Sequence, residues 1–226
     1  MKKYLIIVFF VGFVVESIAQ NVGVSFSYFI PKNGEMSTPI SPFSYRGVAF
    51  PFTDVVGIQT GGSLYRMTGL NISGLPFQSK KNLYGPNYTL YAPLELYMQF
   101  GNRDATVTFK AGGFGFISFL NRINYGNLDR EIARYKGWDV LNSEFSFTNK
   151  PGYGYQGGVE FLFNVNKNFG ITIEVNYLAG SSRLNMEGTY SGGMIGGNII
   201  TEQATYSDAA VDFKGLEISF GVVMGN

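Results

Sequence analysis

The sequence predicts an all-β protein, an eight-stranded antiparallel up-and-down transmembrane β-barrel, and three observations carry that prediction. Eight stretches alternate apolar and polar residues with a period of two: 21–30, 43–50, 55–66, 89–100, 106–120, 153–166, 170–184 and 209–224. The segments between them alternate strictly between long (31–42, 67–88, 121–152, 185–208) and short (51–54, 101–105, 167–169). The polar rows carry small residues and isolated charges, where a water-facing strand would carry Lys, Glu, Thr and Arg throughout.

Strand length and connection length agree with one another. Most stretches exceed the ~5–6 residues usual in soluble strands and reach the ~9–11 that a tilted membrane strand needs. In an up-and-down barrel, odd and even connections fall at opposite ends. Four long loops then share one end, and three short turns share the other with both termini. Outer-membrane barrels have this asymmetry, with short periplasmic and long extracellular connections.

Each strand has a bulky row and a small row. The first offers Val24, Phe26, Tyr28 and Ile30; the third sets Gly57, Gln59, Gly61 and Ser63 on its polar side. The fourth alternates Leu94, Leu96, Met98 and Phe100 with Pro93, Glu95, Tyr97 and Gln99. The sixth sets Phe161, Phe163 and Val165 against Gly158, Glu160 and Asn164. The eighth sets Leu216, Ile218, Phe220 and Val222 against Gly215, Glu217, Ser219 and Gly221. Small residues suit a cramped interior in which a large side chain needs a small neighbour. The bulky row is therefore assigned to lipid, where a Lys or Arg at mid-depth costs about 2–4 kcal/mol. Tyr28, Tyr65, Phe100, Tyr153, Tyr155 and Tyr177 are assigned to interfacial aromatic girdles.

Parity then sends Arg46, Glu95, Lys110, Glu160, Glu174 and Glu217 into the lumen. Glu160 and Glu174 fall opposite or diagonal to each other, and buried carboxylates are costly unless paired and hydrogen-bonded. Lys110 and Arg46 are expected to offset them, with Tyr, Gln and Asn donors. A structural polar network is the reading adopted, over a proton path, a cation site or a catalytic pair. Eight strands leave an interior that side chains just fill.

Composition narrows the function. There is no Cys and no His, which removes disulfides, thiolate metal sites, the usual general base and the commonest metal ligand. No cofactor or metal site is expected. A net charge of +1 argues against nucleic acid as partner. Lys2 and Lys3, the apolar run 4–15 and Ser17-Ile18-Ala19 read as a signal peptide over 1–19, cleaved before Gln20, leaving 20–226 as one barrel domain.

The third long segment predicts a short helix, with Asn127 as cap, Asp129 and Glu131 in its first turn, Arg134 and Lys136 near its end, and Gly137 as stop. Leu128, Ile132 and Tyr135 fall on one side, and with Trp138 they form a candidate partner-docking element. The pieces AGGFGFISF and SGGMIGGN lack the Gly-Lys-Ser/Thr ending of a phosphate loop. In the first, Gly112, Gly113 and Gly115 are read as relieving crowding in the wall; the second is read as a mobile loop.

The chain resembles the small eight-stranded outer-membrane barrels of the OmpX and OmpA transmembrane-domain type, and in texture the PorT-like or porin-family barrels of Bacteroidota. The likeness rests on Ser17-Ile18-Ala19 before Gln20, on TLYAPLELYMQFGN and on the closing GLEISFGVVM. One departure is the ending Met224-Gly225-Asn226, where many proteobacterial barrels end on an aromatic residue; either Phe220 stands in or the assembly signal differs. The resemblance implies a Gram-negative outer membrane, lipid and lipopolysaccharide as surroundings, and structural, adhesive or secretion-accessory roles. Enzymatic barrels of that membrane lean on a histidine, so a non-enzyme is expected, acting through its loops on another envelope or extracellular protein or by lateral contacts. Two alternatives stay open: a narrow channel or secretion accessory, and a secreted lipocalin-like barrel with an apolar ligand.

Overall fold

A computed structural model describes residues 21–35 and 44–225. The expected signal peptide and Phe43 lie outside those residues, as does the side chain of Arg46. The strands are β1 (Asn21–Pro31), β2 (Gly34–Glu35), β3 (Ser44–Pro51), β4 (Val56–Met67), β5 (Gly69–Leu70), β6 (Ile72–Ser73), β7 (Asn87–Gly101) and β8 (Ala105–Phe119). Helix α1 (Tyr125–Lys136) follows, then β9 (Val140–Asn149), β10 (Gly152–Asn166), β11 (Phe169–Gly193), β12 (Ile200–Tyr206) and β13 (Ala210–Gly225).

Eight of these strands close a ring. The antiparallel order β1-β3-β4-β7-β8-β10-β11-β13 returns to β1 through a ladder running from Asn21↔Gly225 to Pro31↔Gly215. They are the eight stretches expected from the sequence, within a residue or two at most ends. The exception is β11, which runs on to Gly193. The three short connections are seeded by side chains that imitate a turn. Thr53 Oγ1 accepts from Val55 N and Val56 N, Asn102 Oδ1 from Asp104 N and Ala105 N, and Asn166 Oδ1 from Asn168 N.

The bulky rows point away from the lumen. Phe26 is 61 % exposed, Leu94 62 % and Phe163 48 %, and Leu96, Met98, Phe109, Ile171 and Phe220 continue the belt. Tyr153 and Tyr155 face out beside it, while Tyr65 does not: it is 1 % exposed, inside the barrel. The girdle assignment of Tyr65 is thus corrected, because it shares parity with the buried Ser63 and no bulge intervenes along β4.

Beyond the wall, the described parts of the long segments fold into a cap. The far half of β11 leaves β10 and β13 and pairs instead with β9 (Leu184↔Asn149 to Gly193↔Val140) and β12 (Met186↔Tyr206 to Gly192↔Ile200). The piece SGGMIGGN, expected to be a mobile loop, is the end of β11 and its turn into β12. Under this three-stranded sheet, Leu70, Ile72, Leu83, Tyr84, Ile123 and Met186 are buried in a core continuous with the top of the lumen.

Candidate functional site

The register stacks the lumen residues in rows that mix large and small side chains. Of three successive rows, the one toward the short-turn end is Gln99-Thr108-Glu160-Glu174-Ser219, followed by Tyr97-Lys110-Gly158-Asn176-Glu217 and then Glu95-Gly112-Gln156-Leu178-Gly215. Gly112 has to be glycine, since a Cβ there would lie 2.1 Å from the Leu94 carbonyl oxygen. Gly113 and Gly115 do not, because a Cβ at either meets nothing nearer than 3.6 Å. The crowding argument therefore holds for one of the three.

Glu160 and Glu174 are directly opposite in the β10–β11 ladder. Like charges so placed repel, and Lys110 from β8 sits between them. Its Nζ is 2.6 Å from Glu160 Oε2 and 3.0 Å from Glu174 Oε1. The side chains of Lys110 and Glu174 are 1 % and 3 % exposed, and that of Glu160 is 22 % exposed toward the short-turn mouth. Asn176 Nδ2 then donates to Glu174 Oε1 and to Glu217 Oε2, each at 2.8 Å, and Tyr65 donates its hydroxyl to Glu217. Glu95 accepts from Gln59 Nε2 at 3.0 Å and from Gln156 Nε2. Glu95, Lys110, Glu160, Glu174 and Glu217 thus form a polar layer. No group of three or more Asp or Glu among the described residues is placed to hold a metal ion.

This layer fills only part of the interior. Toward the long-loop end, Phe29, Tyr65, Tyr91, Phe114, Phe116 and Phe213 are all at most 4 % exposed and pack as one aromatic cluster. Phe29 stacks on Phe213 at 4.6 Å, and Phe116 on Phe213 at 4.7 Å. Room comes from the row Phe114-Gly154-Gly180-Phe213, in which a Cβ on Gly180 would stand 2.7 Å from the Phe114 ring. On the other side of the polar layer, a vestibule of about 1160 Å³ opens between the short turns, with Glu160, Glu174, Gln99, Thr108 and Thr172 among its lining.

At the long-loop end, α1 begins earlier than the sequence suggested. Asn124, not Asn127, caps it, accepting from Asn127 N, while Gly137 ends it in the left-handed conformation at φ 70°. Leu128 and Ile132 are buried against the cap core and Tyr135 is 54 % exposed, leaning on Phe77. The four residues of the expected docking element are therefore divided: two pack inward, Trp138 is half-buried against Tyr190, and Tyr135 faces out. Asp129 accepts from Ser143 N at 3.1 Å and from the Ser143 hydroxyl, and burial pushes its carboxyl up. Lys136 Nζ lies 2.6 Å from Glu202 Oε2, which also accepts from the Tyr190 hydroxyl, and these bonds hold the Glu202 carboxyl down. Sequence reasoning missed the apolar tip of the β11–β12 hairpin, where Met194, Ile195, Ile199 and Ile200 are 58 %, 82 %, 78 % and 49 % exposed.

No protein-family model and no curated protein matches the sequence. Solved structures do match. The outer membrane protein OprG from Pseudomonas aeruginosa aligns over 90 % of this chain and 93 % of its own, with a TM-score of 0.51 at 12 % identity. Ail, the attachment invasion locus protein of Yersinia pestis, aligns over 90 % of this chain and 94 % of its own at 12 % identity, with a TM-score of 0.39. A major outer membrane protein from Thermus thermophilus aligns over 90 % and 97 % at 12 % identity, with a TM-score of 0.40. The last two are too far apart in shape to carry an argument, and the likeness to OprG speaks to fold. Together with the closed ring and its outward apolar belt, it defines the class: an eight-stranded antiparallel β-barrel of the outer-membrane type.

Proposed function

We propose that this is a non-enzymatic protein of a Gram-negative outer membrane, exported by a signal peptide cleaved after Ala19, that recognises another envelope or extracellular protein through its long-loop cap. The observation that carries the reading is the contrast between the two ends of the lumen. An aromatic cluster and a folded cap lie across the long-loop half, which supports a barrel closed to solutes. The exposed apolar tip at Met194, Ile195, Ile199 and Ile200 supports a contact surface, since contiguous apolar residues held out in water mark interaction sites. Glu160 and Glu174 are tied to Lys110, which supports a structural role over a catalytic pair. The outward apolar belt favours a membrane setting over a soluble lipocalin-like barrel.

The test is to refold residues 20–226 with and without detergent and run unheated and boiled samples on a denaturing gel. A heat-modifiable band that appears only with detergent is expected; cooperative folding in plain buffer overturns the membrane setting. In planar bilayers the refolded chain is expected to give no conductance steps. Steady steps would reassign it as a narrow channel.

A further inference from the structure

The vestibule between the short turns ends on a floor whose polar groups are not all used within the chain. One row nearer the turns than Glu160, the ladders line up Thr106-Leu162-Thr172-Gly221-Ser25. Ser25, Thr108 and Thr172 line the vestibule although they are only 5 %, 6 % and 8 % exposed. Among the described residues, Ser25 Oγ has no hydrogen-bond partner, and the hydroxyls of Thr108 and Thr172 have none either. Gly221 lets this row close, since a Cβ on it would lie 2.7 Å from Thr172 Oγ1 and 2.8 Å from Ser25 Cβ.

Glu160 stands directly opposite Thr108 in the β8–β10 ladder. Its Oε2 takes the Lys110 ammonium, which it shares with Glu174, and Lys110 is its one partner among the described residues. A carboxylate has about four lone-pair sites, so Glu160, part-exposed to the vestibule, keeps capacity to accept. Leu162 shares its face of β10 and sets an apolar, half-buried side chain beside it. Buried polar groups are ordinarily hydrogen-bonded, and a cluster of unsatisfied ones calls for an account.

We infer that this floor is a binding site for an alkylammonium group, which donates to the Glu160 carboxylate and to the Thr108 and Thr172 hydroxyls, with Ser25 at the edge of the site. An ammonium has three donors and no acceptor, which matches one carboxylate and two hydroxyl oxygens. The bond to Glu160 is charge-assisted and the strongest of the three. The ligand also extends the alternation Glu174–Lys110–Glu160 by one more positive charge, so it meets a carboxylate before it meets Lys110. Its methylene stem lies along Leu162, as the stems of amphipathic cations lie along apolar surface. At about 1160 Å³ the vestibule has room for either bearer of such a group, a free amine or the lysine side chain of a polypeptide entering from that end.

The site lies at the opposite end of the lumen from the cap, so it stands apart from the recognition proposed above. The test titrates the refolded chain in neutral detergent, its fold first checked by the heat-modifiable band, and follows the backbone amide resonances of Thr108, Glu160 and Thr172. Cadaverine and a lysine blocked at both ends are the probes; n-pentanol and tetramethylammonium, which lack the charge and the N–H groups respectively, are the controls. Saturable shifts with at least one probe, at concentrations about tenfold below either control, are expected, and the tighter probe identifies the bearer. Glu160→Gln is expected to weaken binding about tenfold and Thr172→Val about fivefold. Thr172→Val removes no hydrogen bond within the barrel, so it decides the matter if Glu160→Gln does not fold. The absence of a saturable shift, equal shifts with either control, or unchanged affinity in Thr172→Val would overturn the proposal.

Discussion

Replacing Lys110 by Met tests how the lumen tolerates its acids. The substitution keeps the stem length and removes the charge between Glu160 and Glu174, which face each other across one ladder rung. Removing one partner of a buried pair typically costs about 3–5 kcal/mol, because the other charge is left unpaired. The two acids differ, however. Glu174 is 3 % exposed, whereas Glu160 is 22 % exposed at the vestibule and is partly relieved by water. The nearer contact, 2.6 Å to Glu160, is therefore predicted to couple less strongly than the 3.0 Å contact to Glu174. Urea unfolding in detergent, followed through the heat-modifiable band, measures both terms in double-mutant cycles of Lys110→Met with Glu160→Gln and with Glu174→Gln. The Glu174→Gln cycle is expected to recover the larger share of the loss. A Lys110→Met cost below about 1 kcal/mol, the ordinary scale of an exposed pair, or a larger recovery with Glu160→Gln, would refute the reasoning.

The packing and the cap supply three more tests. Gly180→Ala drives a methyl toward the Phe114 ring and is expected to cost about 1–3 kcal/mol in the same unfolding assay. Phe114→Leu should restore part of it, and a smaller share for Gly154→Ala, whose Cβ meets the Ala179 carbonyl and the Gly180 backbone as well as the Phe114 ring. Asn124→Ala removes the α1 cap and should cost about 1 kcal/mol, seen as faster amide exchange in α1 with β7 and β8 unchanged. Asp129 has its carboxyl raised by burial, so the folded state binds its proton more tightly than the unfolded chain does. Its contribution is accordingly least favourable at neutral pH and improves as pH falls toward the ordinary aspartate range. Asp129→Asn should flatten that part of the pH dependence of α1 exchange.

The barrel was legible because a strand's period writes its two faces directly into the sequence, so parity alone set Glu95, Lys110, Glu160, Glu174 and Glu217 inside. The same parity placed Tyr65 inside with Ser63, and its assignment to a girdle set a composition habit above the pattern. The aromatic half of the lumen was harder to see. Phe114, Gly154, Gly180 and Phe213 become neighbours only when four strands are in register, and register is a property of pairing rather than of any one segment. The cap was partly legible too: Ser143, Phe145 and Phe147 alternate along β9, and β11 continues its alternation through Met186 to Tyr190. Both lie in segments that read as loops because a membrane strand needs only about 9–11 residues. The bridging position of Lys110 was expected in kind, although its two distances depend on three strands at once.

The 25 residues of β11 belong to the wall at one end and to the cap at the other, flanked by hydrogen-bonded strands on both sides in each. They span roughly 80 Å at about 3.3 Å per residue. Such a ribbon is a tether. A pull on the hairpin tip along its length loads the ladders to β9, β10, β12 and β13 in shear, so many hydrogen bonds must give way together instead of one at a time from a free end. A load on the tip would thereby reach the barrel wall through a single unbroken stretch of chain, with no hinge or linker between the two.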